Sequence, residues 1–71
     1  MLQEVRSIPG LVERTRGVFY RRSRAFLHFH EDPSGLYADV RLADDFERFP
    51  VETATERTAL LRRIRLAVDD T

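Results

Sequence analysis

Residues 25–42, AFLHFHEDPSGLYADVRL, leave this chain little choice but a β-hairpin. Apolar and polar residues alternate on both sides of Asp32-Pro33-Ser34-Gly35. That tetrapeptide has Asp first, Pro second and Gly fourth, the residues of a type I turn. Side chains on a strand alternate with period two, so His28 and His30 share one face. A preceding strand is expected over residues 17–21, where Val18, Phe19 and Tyr20 supply β-branched and aromatic character. Arg22-Ser23 would join it to the hairpin, without the Asn-Gly that tight hairpins prefer. Residues 11–16 read as an edge strand or a helical turn. Residues 46–51, with two phenylalanines and a proline, read as an edge strand or an extended segment over the core.

Helical signals flank this region. Leu2, Val5 and Ile8 stand at helical spacing before Pro9-Gly10 stops the run. Thr53 and Glu56 fit a capping box. The helix that follows, to about Val68, carries Leu60, Leu61, Ile64 and Val68 on one stripe, with Ala67 beside it. The expected fold is α+β: a three- to four-stranded antiparallel meander with a short N-terminal helix and a longer C-terminal one. It forms a single domain over residues 1–71.

A chain of 71 residues buries a modest core. It has no cysteine, so neither a disulfide nor a cysteine-based zinc site can staple it. A partner chain is the simplest added support, and a homodimer is expected. All 12 basic residues are arginine, balanced by 12 acids, so there is no basic footprint for nucleic acid. Arginine without lysine fits a GC-rich bacterial coding sequence. No apolar run spans a membrane, and MLQEVRSIPG lacks the basic start and apolar stretch of a signal peptide. A cytoplasmic protein is expected.

The register of the hairpin sets the expected surface. A bulge at Gly35 would place His30 opposite Ala38, His28 opposite Val40 and Phe26 opposite Leu42. One face would then carry Phe19, Phe26, His28, His30, Leu36, Ala38, Val40 and Leu42. The other would carry Val18, Tyr20, Leu27, Phe29, Tyr37, Asp39 and Arg41. Both faces are apolar, and one long helix covers only one of them. Tyr20, Leu27, Phe29 and Tyr37 are therefore the expected ligand or dimer surface, because large exposed apolar patches mark interaction sites.

Other chemistry is sparse. His28 and His30 could share a zinc ion, with Glu31, Asp32 or Asp39 adding oxygen, and a register slipped by one residue would bring Asp39 opposite His28. In the register above, Asp39 points away, and two partly buried histidines within the sheet or at an interface are the simpler reading. No enzyme is expected: there is no cysteine, Ser7, Ser23 and Ser34 lie in turns, and Gly10, Gly17 and Gly35 form no phosphate loop. Arg14, Arg16, Arg21, Arg22 and Arg24 interleave with Phe19 and Tyr20, as in sheets that hold single-stranded nucleic acid.

The run from Ile8-Pro9-Gly10-Leu11 through Phe19-Tyr20-Arg21-Arg22-Ser23-Arg24-Ala25-Phe26 to Leu27-His28-Phe29-His30 resembles that of small actinobacterial proteins of unassigned role. It is also similar to the YjbR-like group, where a Pro-Gly-Val-type segment leads into a strand pair with an aromatic and basic turn. The similarity covers the first half of the chain, which is shorter than that group's domain and lacks its later aromatic-rich segment. The resemblance implies a compact α/β sheet domain and carries no catalytic residue across. The expected function is thus a homodimeric protein-interaction or small-ligand-binding module. A histidine-based metal protein is the second reading, and a single-strand nucleic-acid binder the third.

Overall fold

The computed structural model describes residues 1–69. The chain runs α1 (Leu2–Arg6), β1 (Val12–Thr15), β2 (Val18–Arg21), β3 (Arg24–Asp32), β4 (Gly35–Val40), β5 (Glu47–Pro50), α2 (Ala54–Asp69). The strands form one antiparallel meander in the order β1-β2-β3-β4-β5. The α+β architecture is as expected, with five strands rather than three or four. Both ambiguous segments, residues 11–16 and 46–51, contain edge strands. β5 carries Pro50 on an outer strand, where a missing N–H costs no ladder bond.

Local chemistry explains the boundaries. At α2 the Thr53 Oγ1 accepts from the Glu56 N–H at 3.1 Å, and Glu56 Oε1 accepts from the Thr53 N–H at 2.9 Å. This is the reciprocal capping box. Between β2 and β3, Arg22 and Ser23 both have positive φ, 53° and 68°. They form the type I′ turn that matches strand twist, although neither is the residue type that adopts it most easily.

The β3–β4 turn corrects the expected register. Asp32 pairs with Gly35, so the loop is only Pro33-Ser34. Asp32 Oδ1 accepts from the Ser34 N–H at 2.8 Å and from its hydroxyl at 2.5 Å, closing the turn locally. Gly35 sits at φ +143°, and a Cβ there would meet Glu52 Oε1 at 2.8 Å. No bulge intervenes at Gly35, so every pair slips by one. His28 faces Asp39 rather than Val40, His30 faces Tyr37 rather than Ala38, and Leu27 faces Val40. A slip of one residue in β4 moves its whole side-chain set to the other face relative to β3.

The slip sorts the sheet into one apolar and one polar face. Phe19, Leu27 and Val40 align on one side, as do Phe29, Ala38 and Phe49. β3 carries one extra residue, Phe26, between the pairs Phe19–Leu27 and Tyr20–Ala25. This bulge breaks strict alternation, and both Phe26 and Leu27 are buried. Both helices pack on this same side: Val5 and Ile8 join Leu60 and Ile64 in one core with Phe19, Phe26, Leu27, Ala38, Val40 and Val51. Among the described residues no helix lies across the other face of the sheet.

Candidate functional site

That uncovered face gathers both histidines and the buried Asp39. Directly opposed residues share a face, so Val18, His28, Asp39 and Arg48 form one row across β2, β3, β4 and β5. His30, Tyr37 and Pro50 form the next row. Asp39 sits at the centre and is only 9% exposed. Arg48 grips it with two bonds, Nε to Oδ1 at 2.8 Å and Nη2 to Oδ2 at 3.1 Å. His28 Nε2 lies 3.1 Å from Oδ2. A planar guanidinium fork suits a carboxylate better than any other cation. The Arg48 hydrogen bonds hold the Asp39 carboxyl below its ordinary range. They outweigh its partial burial, which pushes the other way, and the charges of Arg48, His28 and His30 act in the same direction as the bonds.

Aromatic rings extend the row. Phe46 lies edge-on to His28 at 5.8 Å, and the Arg41 guanidinium covers its ring at 4.5 Å. Arg48 stands 5.8 Å from the Tyr37 ring centre, and Arg14 lies 4.8 Å from that of Tyr20. These cation–π pairs hold long side chains against aromatic rings. The Tyr37 hydroxyl meets Ser34 Oγ at 2.8 Å, which ties the face to the β3–β4 turn.

The four residues expected to form one apolar patch do not lie together. Leu27 is 1% exposed, beneath the helices, because the slipped register pairs it with Val40 in the core. Phe29 is on that same side, packed edge-to-face on Phe19 at 6.5 Å. Tyr20 and Tyr37 belong to the open face. The expectation of two apolar faces is likewise corrected: the open face is polar and aromatic. Arg48 and Phe46, which complete the site, were not singled out from sequence. Only the β4–β5 pairing brings them in, and the nine positions that separate Arg48 from Asp39 along the chain hide it.

The histidine reading changes shape too. His28 and Asp39 do meet, as the slipped register requires, but Arg48 already holds both carboxylate oxygens. His30 instead faces Asp32, with Nε2 3.9 Å from Oδ2. Among the described residues no three His, Asp or Glu side chains gather as a metal site would need. Zinc at modest excess is therefore expected to leave the melting temperature unchanged. A rise lost in both His28→Ala and His30→Ala would reverse that reading, since a ligand of the folded state alone must stabilise it.

The Asp32–Ser34 pair does not build a nucleophile. Ser34 gives its proton to Asp32, and His30 lies beyond that carboxylate rather than next to the hydroxyl. A triad needs the imidazole between the two. Comparison of the chain with protein-family models, curated proteins and solved structures found no match.

Proposed function

We propose that the chain is a non-catalytic protein-interaction module that works through its open sheet face, and that its first partner is a second copy of itself. The observation that carries this is the row His28–Asp39–Arg48 with its flanking Arg–aromatic pairs. A nearly buried carboxylate, neutralised by a bidentate arginine, is a rigid centre on a face that no helix covers. Tyr and Arg side chains held in place beforehand lose little freedom on docking and are the usual anchors of protein interfaces. A small cysteine-free chain also gains stability from association. A face that meets its own copy across a two-fold axis needs both signs of charge, and this one has them in Arg14, Arg41 and Arg48 beside Asp32 and Asp39.

Light scattering and amide chemical shifts, followed from low to high micromolar concentration, test the proposal. Dimer formation is expected, with shifts at residues 18, 20, 28, 37, 46 and 48. Tyr20→Ala combined with Tyr37→Ala should yield a folded monomer, because both rings lie outside the helix-covered core. A wild-type chain that stays monomeric throughout, or shifts confined to α2, would overturn it. So would a single-stranded oligonucleotide that moves the same amides on a monomer. The Arg–aromatic pairs would then be serving bases and phosphates.

A further inference from the structure

We propose that a groove at the free end of the β3–β4 hairpin is a small-molecule site for a monocarboxylate with an apolar body, with Arg16 and Arg57 as its anion receptors. This goes beyond the open-face reading, and the groove adjoins that face at His30 and Tyr37. β3 runs past the start of β2, whose first pair is Val18 with His28. The last contact between the two is the Phe29 N–H to the Gly17 carbonyl at 3.0 Å. Beyond that point a groove of about 800 Å³ opens towards α1 and the start of α2. That volume lies within the range of small-ligand sites.

The floor is apolar and fixed. Phe29, Leu36, Val51 and Leu2 line it, and His30 and Tyr37 of the open face border it. Phe29 is held against the buried Phe19 ring. Val51 is itself buried.

Two guanidiniums border this floor. Arg57 is half-buried and braced: its Nη1 donates to the carbonyls of Val51 at 3.2 Å and Glu52 at 2.8 Å. Its Nε and Nη2 hydrogens make no bond among the described residues, and no carboxylate there lies within ion-pair distance of it. Arg16 has no ion-pair partner among the described residues either. Three acids temper the charge. Glu31 also lines the groove, the Arg57 charge is felt at Glu4, and the Arg16 charge at Glu13.

A braced guanidinium beside a hydrophobic floor asks for a ligand with one planar anionic head and a hydrocarbon body. The free Nε–Nη2 edge of Arg57 presents the parallel donors that a carboxylate accepts in pairs. Partial desolvation strengthens that pairing relative to a solvated surface arginine. The apolar floor supplies the rest of the affinity in proportion to the area it covers. A bare phosphate would leave that floor in water, so the body of the ligand is as much a part of the recognition as its head.

Octanoate is the probe, with octanol and octylamine as chain-matched controls. Binding followed by titration calorimetry and amide shifts should show octanoate moving residues 16, 17, 29, 36, 51 and 57. Octanol and octylamine should bind at least about tenfold more weakly, the loss of one charge-assisted pair. Arg16→Gln, at an exposed side chain that bonds to nothing in the fold, should weaken octanoate by about the same factor. Arg57→Gln removes a structural brace as well, so its amide spectrum is checked for the native fold before its loss of binding is read. Arg24→Gln, an exposed arginine at the opposite end of β3, should leave octanoate binding unchanged. Absence of octanoate binding, equal binding of octylamine, or full affinity in Arg16→Gln together with a folded Arg57→Gln would each overturn the proposal.

Discussion

Ile64→Ala is expected to cost about 2–5 kcal/mol of folding stability, the range for a large-to-small change in a filled core. Ile64 is fully buried and sits with Leu60 against the apolar side of the sheet, in contact with the cluster built on Phe19, Leu27 and Val40. Little can relax to fill the space, because α1 and α2 share that one face and each is needed to cover it. Against a total of about 5–15 kcal/mol for a typical domain, such a loss is a large fraction. Leu66→Ala is the control. Leu66 is 65% exposed on the outer side of α2, and its truncation should change stability by less than about 0.5 kcal/mol. Urea midpoints at unchanged slope give both values. Equal, small effects at the two sites would mean that α2 does not pack on the sheet.

Asp39→Ala is expected to cost about 1–3 kcal/mol at neutral pH, the price of stranding polar groups that a buried partner had satisfied. The value stays below that of a fully buried ion pair because the Arg48 side chain is half exposed and part of its charge is screened by water. The pH dependence has a definite sign. The folded-state pKa of Asp39 is held below the ordinary 3.8. A depressed carboxylate contributes stability above its unfolded value and loses it as pH falls through its folded value. The gap between wild type and Asp39→Ala should therefore be full at neutral pH and shrink on the acid side of 3.8. Asp32, Glu13 and Glu4 are also depressed, by Ser34, by Arg6 and by the N-terminal ammonium respectively, so the wild-type chain loses stability in acid from all four. Only the Asp39 share should disappear in the variant. A gap that stays constant through the acid range would contradict the geometry of the row.

Much of the fold was legible because short-range chemistry decides it. Thr53 and Glu56 announce the start of α2 by themselves, whereas α1 stops at Arg6 with Ser7 as its C-cap, short of the Pro9-Gly10 that marked its end. The hairpin over residues 25–42 was equally plain. Its register was not, since Asp-Pro-Ser-Gly serves either a two-residue loop or a longer one with a bulged glycine. The choice falls to burial summed over the whole sheet. In the observed register Leu27, Phe29, Ala38 and Val40 share one face, and His28, His30, Tyr37 and Asp39 share the other. The extra residue Phe26 hid the answer further, because its bulge lets neighbours that strict alternation would separate, Phe26 and Leu27, both enter the core. The site inherited that uncertainty. His28, His30, Asp39, Tyr20 and Tyr37 stood out as residues. Their meeting with Arg48 depends on the β4–β5 pairing, which no local signal near Glu47 or Pro50 specifies.

The register is the claim on which the open face depends, and cross-strand Hα–Hα contacts measure it directly. In an antiparallel pair the non-hydrogen-bonded residues bring their Cα atoms closest, about 4.5 Å apart. The Arg41 N–H donates to the Phe26 carbonyl, which sets the alternation and makes Leu27–Val40, Phe29–Ala38 and Glu31–Leu36 the close pairs. Nuclear Overhauser contacts between the α-protons of those three pairs are the expected result. Contacts that instead join His28 to Val40 and His30 to Ala38 would turn the polar row inward and contradict the account.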